Sequence, residues 1–129
     1  MKIEKFDVSI SPAKIEQLKQ RLASANWPDV IGEDEWSYGV PSFWMREMVD
    51  YWLNDWSWKT AEEEINRFTH FRVVLEGINI HCLHAPAANP DAPALVLSHG
   101  WPWTFWDFRY VIEPLSRHYN VYVPSLPGF

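Results

Sequence analysis

Residues 94–103 of the chain read ALVLSHGWPW, and this stretch, with the residues that follow it, decides the fold. Its first four residues, 94–97, form a continuous apolar run, which is typical of a strand buried on both faces of a sheet. Residues 104–117 predict a helix, because Thr104 and Asp107 have the spacing of a capping box. The predicted buried face of this helix consists of Phe105, Phe108, Val111, Ile112 and Leu115. Residues 121–123 predict a second buried strand, so the order is that of a βαβ unit with parallel strands and a right-handed crossover.

The motif His99-Gly100-Trp101-Pro102 lies between the first strand and the helix. Gly100 is expected to let the backbone turn sharply where a side chain would clash. The start of the following helix is expected to present unpaired N–H groups and a partial positive charge. A negative charge that develops beside this turn would be stabilised, which is the physical basis of an oxyanion hole.

The chain divides near residue 68 into two predicted domains. Residues 1–67 form a helical segment that holds six of the nine tryptophans before residue 60. Residues 68–129 begin with a predicted β-hairpin, whose strands, 71–75 and 78–84, are joined by Glu76-Gly77.

Three helices are predicted in the first domain, beginning at Pro12, Pro41 and Thr60. Ser11 is a candidate cap for the first helix, which should end at Trp27-Pro28 because a residue before proline is pushed out of helical geometry. Thr60 and Glu63 have capping-box spacing at the predicted start of the third helix. The carboxylates of Glu62, Glu63 and Glu64 are interpreted as a solvated run at that start, with no part in catalysis.

Charge and composition exclude several classes of partner. The net charge is −6 and no run of Lys or Arg is present, so we expect neither a nucleic-acid partner nor binding to an anionic membrane. No apolar run approaches the ~20 residues needed to cross a bilayer, and the N-terminal residues lack the apolar core of a signal peptide. We therefore expect a cytoplasmic protein. Cys82, the only cysteine, is interpreted as a small buried hydrophobe.

The motif at residues 99–102 resembles the oxyanion loop of the epoxide hydrolases, a family within the α/β-hydrolase superfamily. The upstream positions that resemble the N-terminal meander of the microsomal and juvenile-hormone type are Ile15, Leu18, Arg21-Leu22, Trp27-Pro28, Trp36, Gly39, Tyr51-Trp52 and Asp55-Trp56. Phe71, Gly77, Ile80-His81 and His84 extend the resemblance to nearly the whole chain. It implies an α/β fold in which a helical meander precedes the first strands and helix of an α/β-hydrolase sheet, an incomplete fold.

The resemblance also implies a mechanism. In this family an Asp attacks an epoxide carbon to give a covalent ester, two lid tyrosines assist ring opening, and a His activates the water that releases the diol. The backbone N–H of Trp101 is then the oxyanion donor, while His99, Gly100 and Pro102 support the turn. The bond before Pro102 is a candidate cis bond, and Trp103 stands where the family often has a small residue.

Trp101 and Phe129 are the candidate substrate-binding residues, and a small apolar epoxide is the expected substrate. The covalent route needs no cofactor and no metal. His81 and His84 are three positions apart on a strand, so they should point to opposite faces and make a poor metal pair.

The sequence contains no Gly-x-Ser-x-Gly pattern and no Asp in an equivalent setting, and the expected His and lid tyrosines are not found. We therefore expect the remainder of the hydrolase, in the same parent chain or in a companion fragment, to be the partner of these 129 residues. The isolated chain is predicted to be inactive. Two alternatives stay open: another α/β-hydrolase such as an esterase, and a non-catalytic assembly or interaction module.

Overall fold

The computed structural model of the chain describes residues 2–29 and 36–128. The chain forms two compact units, which are a helical unit, Ser9–Ala61, and a sheet unit, Met1–Val8 together with Glu62–Phe129. The division predicted at residue 68 stays a prediction.

The helical unit contains α1 (Pro12–Ala23), α2 (Ser42–Asn54), the first half of α3 (Trp58–Ile65) and a short 3₁₀ turn at Trp36–Tyr38. Helix α1 packs against α2, and Lys19 Nζ in α1 donates a hydrogen bond of 2.9 Å to the carbonyl of Leu53 in α2. Apolar side chains of this unit line an open groove of about 340 Å³, together with the stem of Lys19: Ile15, Leu18, Leu22, Trp52, Trp56 and Trp58.

The ends of α1 differ from the prediction. Ser11 occupies the cap position before Pro12, as expected, but its side chain makes no capping hydrogen bond. The helix ends at Ala23, before Trp27-Pro28, because the Ser24 hydroxyl donates to the carbonyls of Gln20 and Arg21 and so competes for the last backbone acceptors.

The starts of α2 and α3 also shift. Pro41 is the cap of α2, whose first residue is Ser42. Helix α3 begins two residues before Thr60, and the Thr60 N–H donates to the Ser57 hydroxyl at 3.4 Å. The predicted Thr60 cap is therefore wrong, and Glu62–Glu64 lie towards the end of the helix rather than at its start.

The sheet unit contains β1 (Ile3–Phe6), β2 (Thr69–Leu75), β3 (Ile78–Ala85), β4 (Ala94–Val96) and β5 (Asn120–Pro124) in the order β1-β2-β3-β5-β4. The β2–β3 hairpin is confirmed, and its turn residues Glu76 and Gly77 have φ of 50° and 82°, as the tightest hairpin turns require. Strand β1, which pairs antiparallel with β2, was not predicted.

The predicted parallel pairing is confirmed by β4 and β5, with Leu95 opposite Val121. The helix between them begins as a 3₁₀ turn, Phe105–Phe108, and continues as α4 (Arg109–Ser116). The predicted burial of residues 94–97 on both faces is wrong. Within the described residues β4 lies at the end of the sheet, and Val96 is 62% exposed.

The core of the sheet unit is formed where α4 covers one face of β3 and β5. Leu83, Ile112, Val121 and Val123 are fully buried there, at 0% exposure. Of the predicted buried helix face, Phe105, Phe108 and Leu115 pack against this core, whereas Val111 is 44% exposed and was wrongly assigned to it.

Candidate functional site

The turn at residues 99–102 is closed by its own backbone. The Trp101-Pro102 peptide bond is cis, the isomer for which the bond was a candidate. The Trp103 N–H donates to the Gly100 carbonyl at 2.8 Å. Among the described residues Glu76 is the only non-glycine residue with positive φ, so Trp103 fits this turn without left-handed backbone geometry.

Gly100 does not have the role that the sequence suggested. Its φ lies outside the left-handed region, and a Cβ added to it would meet no heavy atom within 4 Å. The expectation that a side chain would clash there is wrong. The glycine instead leaves open space beside the backbone that leads to Trp101.

Trp101 combines an exposed side chain with an unpaired backbone donor. The side chain is 83% exposed. Within residues 2–29 and 36–128, no acceptor receives its backbone N–H. The turn borders an open groove of about 370 Å³, which is lined by Ser98, His99, Gly100, Trp101, Trp103, Asp107 and Phe108. An unpaired N–H at such a groove can donate to an oxygen of a bound molecule.

A capping box occupies two backbone donors at the helix start that follows. The Trp106 N–H donates to Thr104 Oγ1 at 3.2 Å, and the Thr104 N–H donates to Asp107 Oδ2 at 2.6 Å. The predicted capping box is thus confirmed. This box occupies the N–H groups of Thr104 and Trp106 and places a carboxylate beside them, whereas the expected contribution of the helix start to anion binding stays a prediction.

His99 links the turn to the segment after β5. The ring is 6% exposed, and its Nε2 accepts a hydrogen bond of 3.1 Å from the Leu126 N–H. Since an accepting ring nitrogen must carry a lone pair, Nε2 is the unprotonated nitrogen. The turn and the Pro127-Gly128 bend, where Gly128 has φ of 92°, are thereby held together.

The sequence did not predict a series of hydrogen bonds that ends at Ser125, in the segment after β5. His81 Nδ1 lies 2.7 Å from the Ser125 hydroxyl, and His81 Nε2 lies 2.9 Å from His70 Nδ1. His70 Nε2 lies 2.8 Å from the Ile65 carbonyl oxygen. The hairpin register could have revealed the imidazole pair, because Arg72 is opposite His81, and His70 is therefore its diagonal neighbour on the same face.

The remaining candidates have ordinary structural roles. His84 stacks on Tyr122 with ring centroids 4.5 Å apart, whereas His81 contacts His70, so the two histidines of β3 do face opposite sides. Cys82 is buried, as predicted, and burial raises the pKa of its thiol to about 11. Phe129, the second candidate substrate-binding residue, lies outside the described residues.

Neither a metal-binding cluster nor a membrane-spanning helix occurs in the described part of the chain. Residues 2–29 and 36–128 bring together no group of three His, Cys, Asp or Glu side chains that could hold a metal ion. None of the helices there is both long and apolar enough to cross a bilayer.

Comparisons with known proteins point to one family. A family model described as "Epoxide hydrolase N terminus" matches residues 3–108. A protein of Stigmatella aurantiaca with a provisional assignment as an epoxide hydrolase is 34% identical over 98% of this chain and 31% of its own length. Epoxide hydrolase 1 of Sus scrofa is 30% identical over 98% of this chain and 31% of its own length.

The same similarity extends to three dimensions. The solved structure of an Aspergillus niger epoxide hydrolase matches with a TM-score of 0.89 and 27% identity, over 100% of this chain and 36% of that one. This chain therefore spans about a third of the length of the relatives that it matches.

Proposed function

The chain belongs to the epoxide hydrolase N-terminus family, and from that membership we propose that it supplies the oxyanion turn and the helical meander of an epoxide hydrolase. The fold class that the resemblance implied, an α/β arrangement of a helical meander and the first part of an α/β-hydrolase sheet, is confirmed by the match to the Aspergillus niger enzyme. The names of the relatives favour epoxide opening over the esterase alternative.

The proposed reaction has two covalent steps. An Asp carboxylate outside these 129 residues attacks an epoxide carbon, the ring C–O bond breaks, and the freed oxygen takes a proton from a lid tyrosine. A His then removes a proton from water, which attacks the ester carbonyl. The resulting oxyanion collapses and the ester C–O bond breaks. The leaving alkoxide takes the proton of the new carboxylic acid, so the diol leaves with the Asp carboxylate restored, and the proton held by the His returns to the tyrosinate.

The single observation that carries this proposal is that the Trp101 N–H has no acceptor among the described residues. During ester hydrolysis, negative charge develops on the former carbonyl oxygen, and a fixed donor at that position lowers the barrier. Trp101 lines an open groove, and the buried His99 anchors the turn that contains it. A preorganised donor is effective because it need not reorient when the charge develops.

The substrate is proposed to be a small apolar epoxide. The indole of Trp101 is 83% exposed beside the groove and offers an apolar surface, and the exposed ring of Trp103 lines the same groove. Phe129 is proposed as a second contact on the basis of its position after the Pro127-Gly128 bend.

The partner of this chain is proposed to be the remainder of the hydrolase, in the same polypeptide or in a companion fragment. That remainder supplies the nucleophilic Asp, the lid tyrosines and the His. The isolated 129-residue polypeptide should not convert epoxide above the buffer rate, because an oxyanion donor cannot act where no covalent ester forms.

The test is to remove the Trp101 N–H without changing a side chain. In the complete hydrolase, Trp101 is replaced by its α-hydroxy analogue, which turns one backbone amide into a backbone ester. The rate of hydrolysis of the covalent intermediate, measured by single-turnover kinetics, should fall by about 10²–10³-fold. The intermediate should then accumulate.

Two controls separate the donor from the turn. The α-hydroxy analogue of Trp103 removes the bond to the Gly100 carbonyl but leaves the Trp101 N–H in place, so it should slow hydrolysis far less. Trp101→Phe also keeps the N–H and should keep the hydrolysis rate while weakening substrate binding. An unchanged hydrolysis rate with the Trp101 analogue would refute the proposed role.

A further inference from the structure

Two imidazoles, one carbonyl and one hydroxyl form a continuous chain inside the sheet unit. The chain runs from the Ile65 carbonyl at the end of α3, through His70 in β2 and His81 in β3, to the hydroxyl of Ser125 after β5. Its three links measure 2.8, 2.9 and 2.7 Å. Three elements, α3, β2 and β3, and the segment after β5 are therefore joined by one series of hydrogen bonds.

When both rings are neutral, the hydrogen bonds of this series can run in only one direction from donor to acceptor. The Ile65 carbonyl can only accept, so His70 Nε2 must carry a proton and donate it. His70 Nδ1 is then a lone-pair acceptor, and His81 Nε2 must donate to it. His81 Nδ1 is in turn an acceptor, and the Ser125 hydroxyl must donate its hydrogen there.

The surroundings favour the neutral His81 ring that this direction requires. His70 is 2% exposed. The ring of Phe105 meets the His81 ring edge-on with centroids 4.7 Å apart, and Phe6 does so at 5.7 Å. Burial, reinforced by the neighbouring His70 and Arg72, lowers the pKa of His81 to about 4, so the ring is uncharged near neutral pH.

The last hydrogen bond of this series holds Ser125, which lies in the segment that anchors the turn at residues 99–102. The Ser125 N–H donates to the His81 carbonyl at 2.9 Å, so Ser125 is held by both its backbone and its hydroxyl. The next residue, Leu126, donates its N–H to His99 Nε2 at 3.1 Å. Residues 125–126 are therefore fixed by His81 on one side and by His99 on the other.

We propose that His70 and His81 are positioning residues, which orient the Ser125 hydroxyl as a donor and so hold residues 125–126 in place as the support on which His99 and the Trp101 turn rest. The effect of this support on ester hydrolysis rests on the proposed function, whereas the direction of the hydrogen bonds does not. Ser125 is not an activated nucleophile in this arrangement, since a base with so low a pKa would hold the abstracted proton poorly.

The direction can be read by NMR of the uniformly ¹⁵N-labelled chain at neutral pH. Ring nitrogens that carry a proton resonate well apart from those that carry a lone pair, so each tautomer is assigned directly. Both rings should be neutral with the proton on Nε2, and a coupling across the hydrogen bond should join His81 Nε2 to His70 Nδ1. A proton on Nδ1 of either neutral ring, or a missing coupling, would overturn the inference.

Serine variants test whether the support reaches His99. Ser125→Ala removes the donor, so the resonances of His81 Nδ1, His99 Nε2 and the Leu126 amide should all move. Ser125→Thr keeps the hydroxyl and should restore them. Ser116→Ala is the matched control, because the Ser116 hydroxyl bonds the Glu113 carbonyl, and it should move none of the three. A change confined to His81 would contradict the role in positioning the turn.

These outcomes are independent of the proposed function. The tautomers and the change in the His99 resonance are measured without substrate. These results therefore stay valid even if the Trp101 analogue leaves ester hydrolysis unchanged. If the proposed function holds, Ser125→Ala in the complete hydrolase should slow hydrolysis of the covalent intermediate, and Ser125→Thr should recover most of the loss. Loss with both variants would mean that the hydroxyl is not the group that matters.

Discussion

Single histidines in this chain act by their tautomer rather than by their charge. His99 accepts from a backbone N–H, and His81 accepts from the Ser125 hydroxyl, so each ring nitrogen involved must keep its lone pair. A proton on Nδ1 of His81 would make that nitrogen a donor, so the Ser125 hydroxyl would have to reverse its direction and accept. The direction of the hydrogen bond that holds Ser125 therefore depends on a neutral His81 ring.

The stability of the chain should fall in mild acid because of His81. Its folded-state pKa of about 4 lies below its ordinary value of 6.5, so the unfolded chain binds the proton more readily. The contribution is complete above pH 6.5 and is lost as the pH falls towards 4. Allowing for solvent screening, the loss should be of the order of 1–2 kcal/mol.

Urea unfolding between pH 7 and pH 4 measures this directly. His81→Gln should flatten the fall in the free energy of unfolding over that range. His118→Gln replaces an exposed histidine and is the matched control, which should keep the wild-type profile. Equal slopes for the wild type and His81→Gln would show that other groups cause the fall.

At the scale of one element, the capping box of Thr104 and Asp107 should be worth more than the cap that the sequence suggested at Thr60. Thr104→Ala removes a hydroxyl that accepts the Trp106 N–H, and should lower the free energy of unfolding by about 1 kcal/mol. Thr60 lies inside α3, where Ala is the better helix former, so Thr60→Ala should change stability by less than about 0.5 kcal/mol. Chemical denaturation of both variants compares them, and equal losses would contradict the assignment.

Neighbouring residues of α4 should differ sharply in their contribution to the core. Ile112 is fully buried against β3 and β5, so Ile112→Ala should cost about 2–5 kcal/mol through lost contacts and a cavity. Val111 is 44% exposed, and Val111→Ala should stay within about 0.5 kcal/mol. Thermal or urea unfolding decides between this orientation and the predicted one, in which Val111 is also buried.

Local sequence signals predicted the elements whose causes are local. The hairpin turn at Glu76-Gly77 and the capping box at Thr104 depend on neighbouring residues, and the structure contains both. The strand at 121–123 was predicted because its apolar run is itself a local signal. Strand β1 could not be predicted in this way, because Ile3–Phe6 is a strand only by its pairing with β2, more than sixty residues later.

The candidate site also contains features that the sequence could predict and features that it could not, depending on whether their residues are neighbours in the sequence. The motif at residues 99–102 is visible in the sequence because its residues are contiguous. The other contacts join residues that are far apart in the sequence, and only the packed sheet unit brings them together. These contacts are the hydrogen bond from the Leu126 N–H to His99 and the hydrogen-bond series from Ile65 to Ser125. The positions of β4 and Val96 likewise depend on which strands the described chain contains.

The whole 129-residue polypeptide should associate with itself through β4. Among the described residues β4 pairs with β5 on one side only, and the backbone groups along its other side have no strand partner. Val96 is 62% exposed on this short strand, so apolar surface accompanies the unpaired edge. Edges of this kind pair with other chains unless a charge blocks them.

Light scattering after size exclusion, over a range of concentrations, should show a mass that rises above that of the monomer. Val96→Lys places a charge on the edge strand and should shift the distribution towards the monomer. Val111→Lys adds the same charge on the exposed side of α4 and should leave the association unchanged. If both variants dissociate the chain equally, net charge rather than the β4 edge controls association. A monomer at every concentration would mean that the free edge of β4 is protected from pairing and would contradict the prediction.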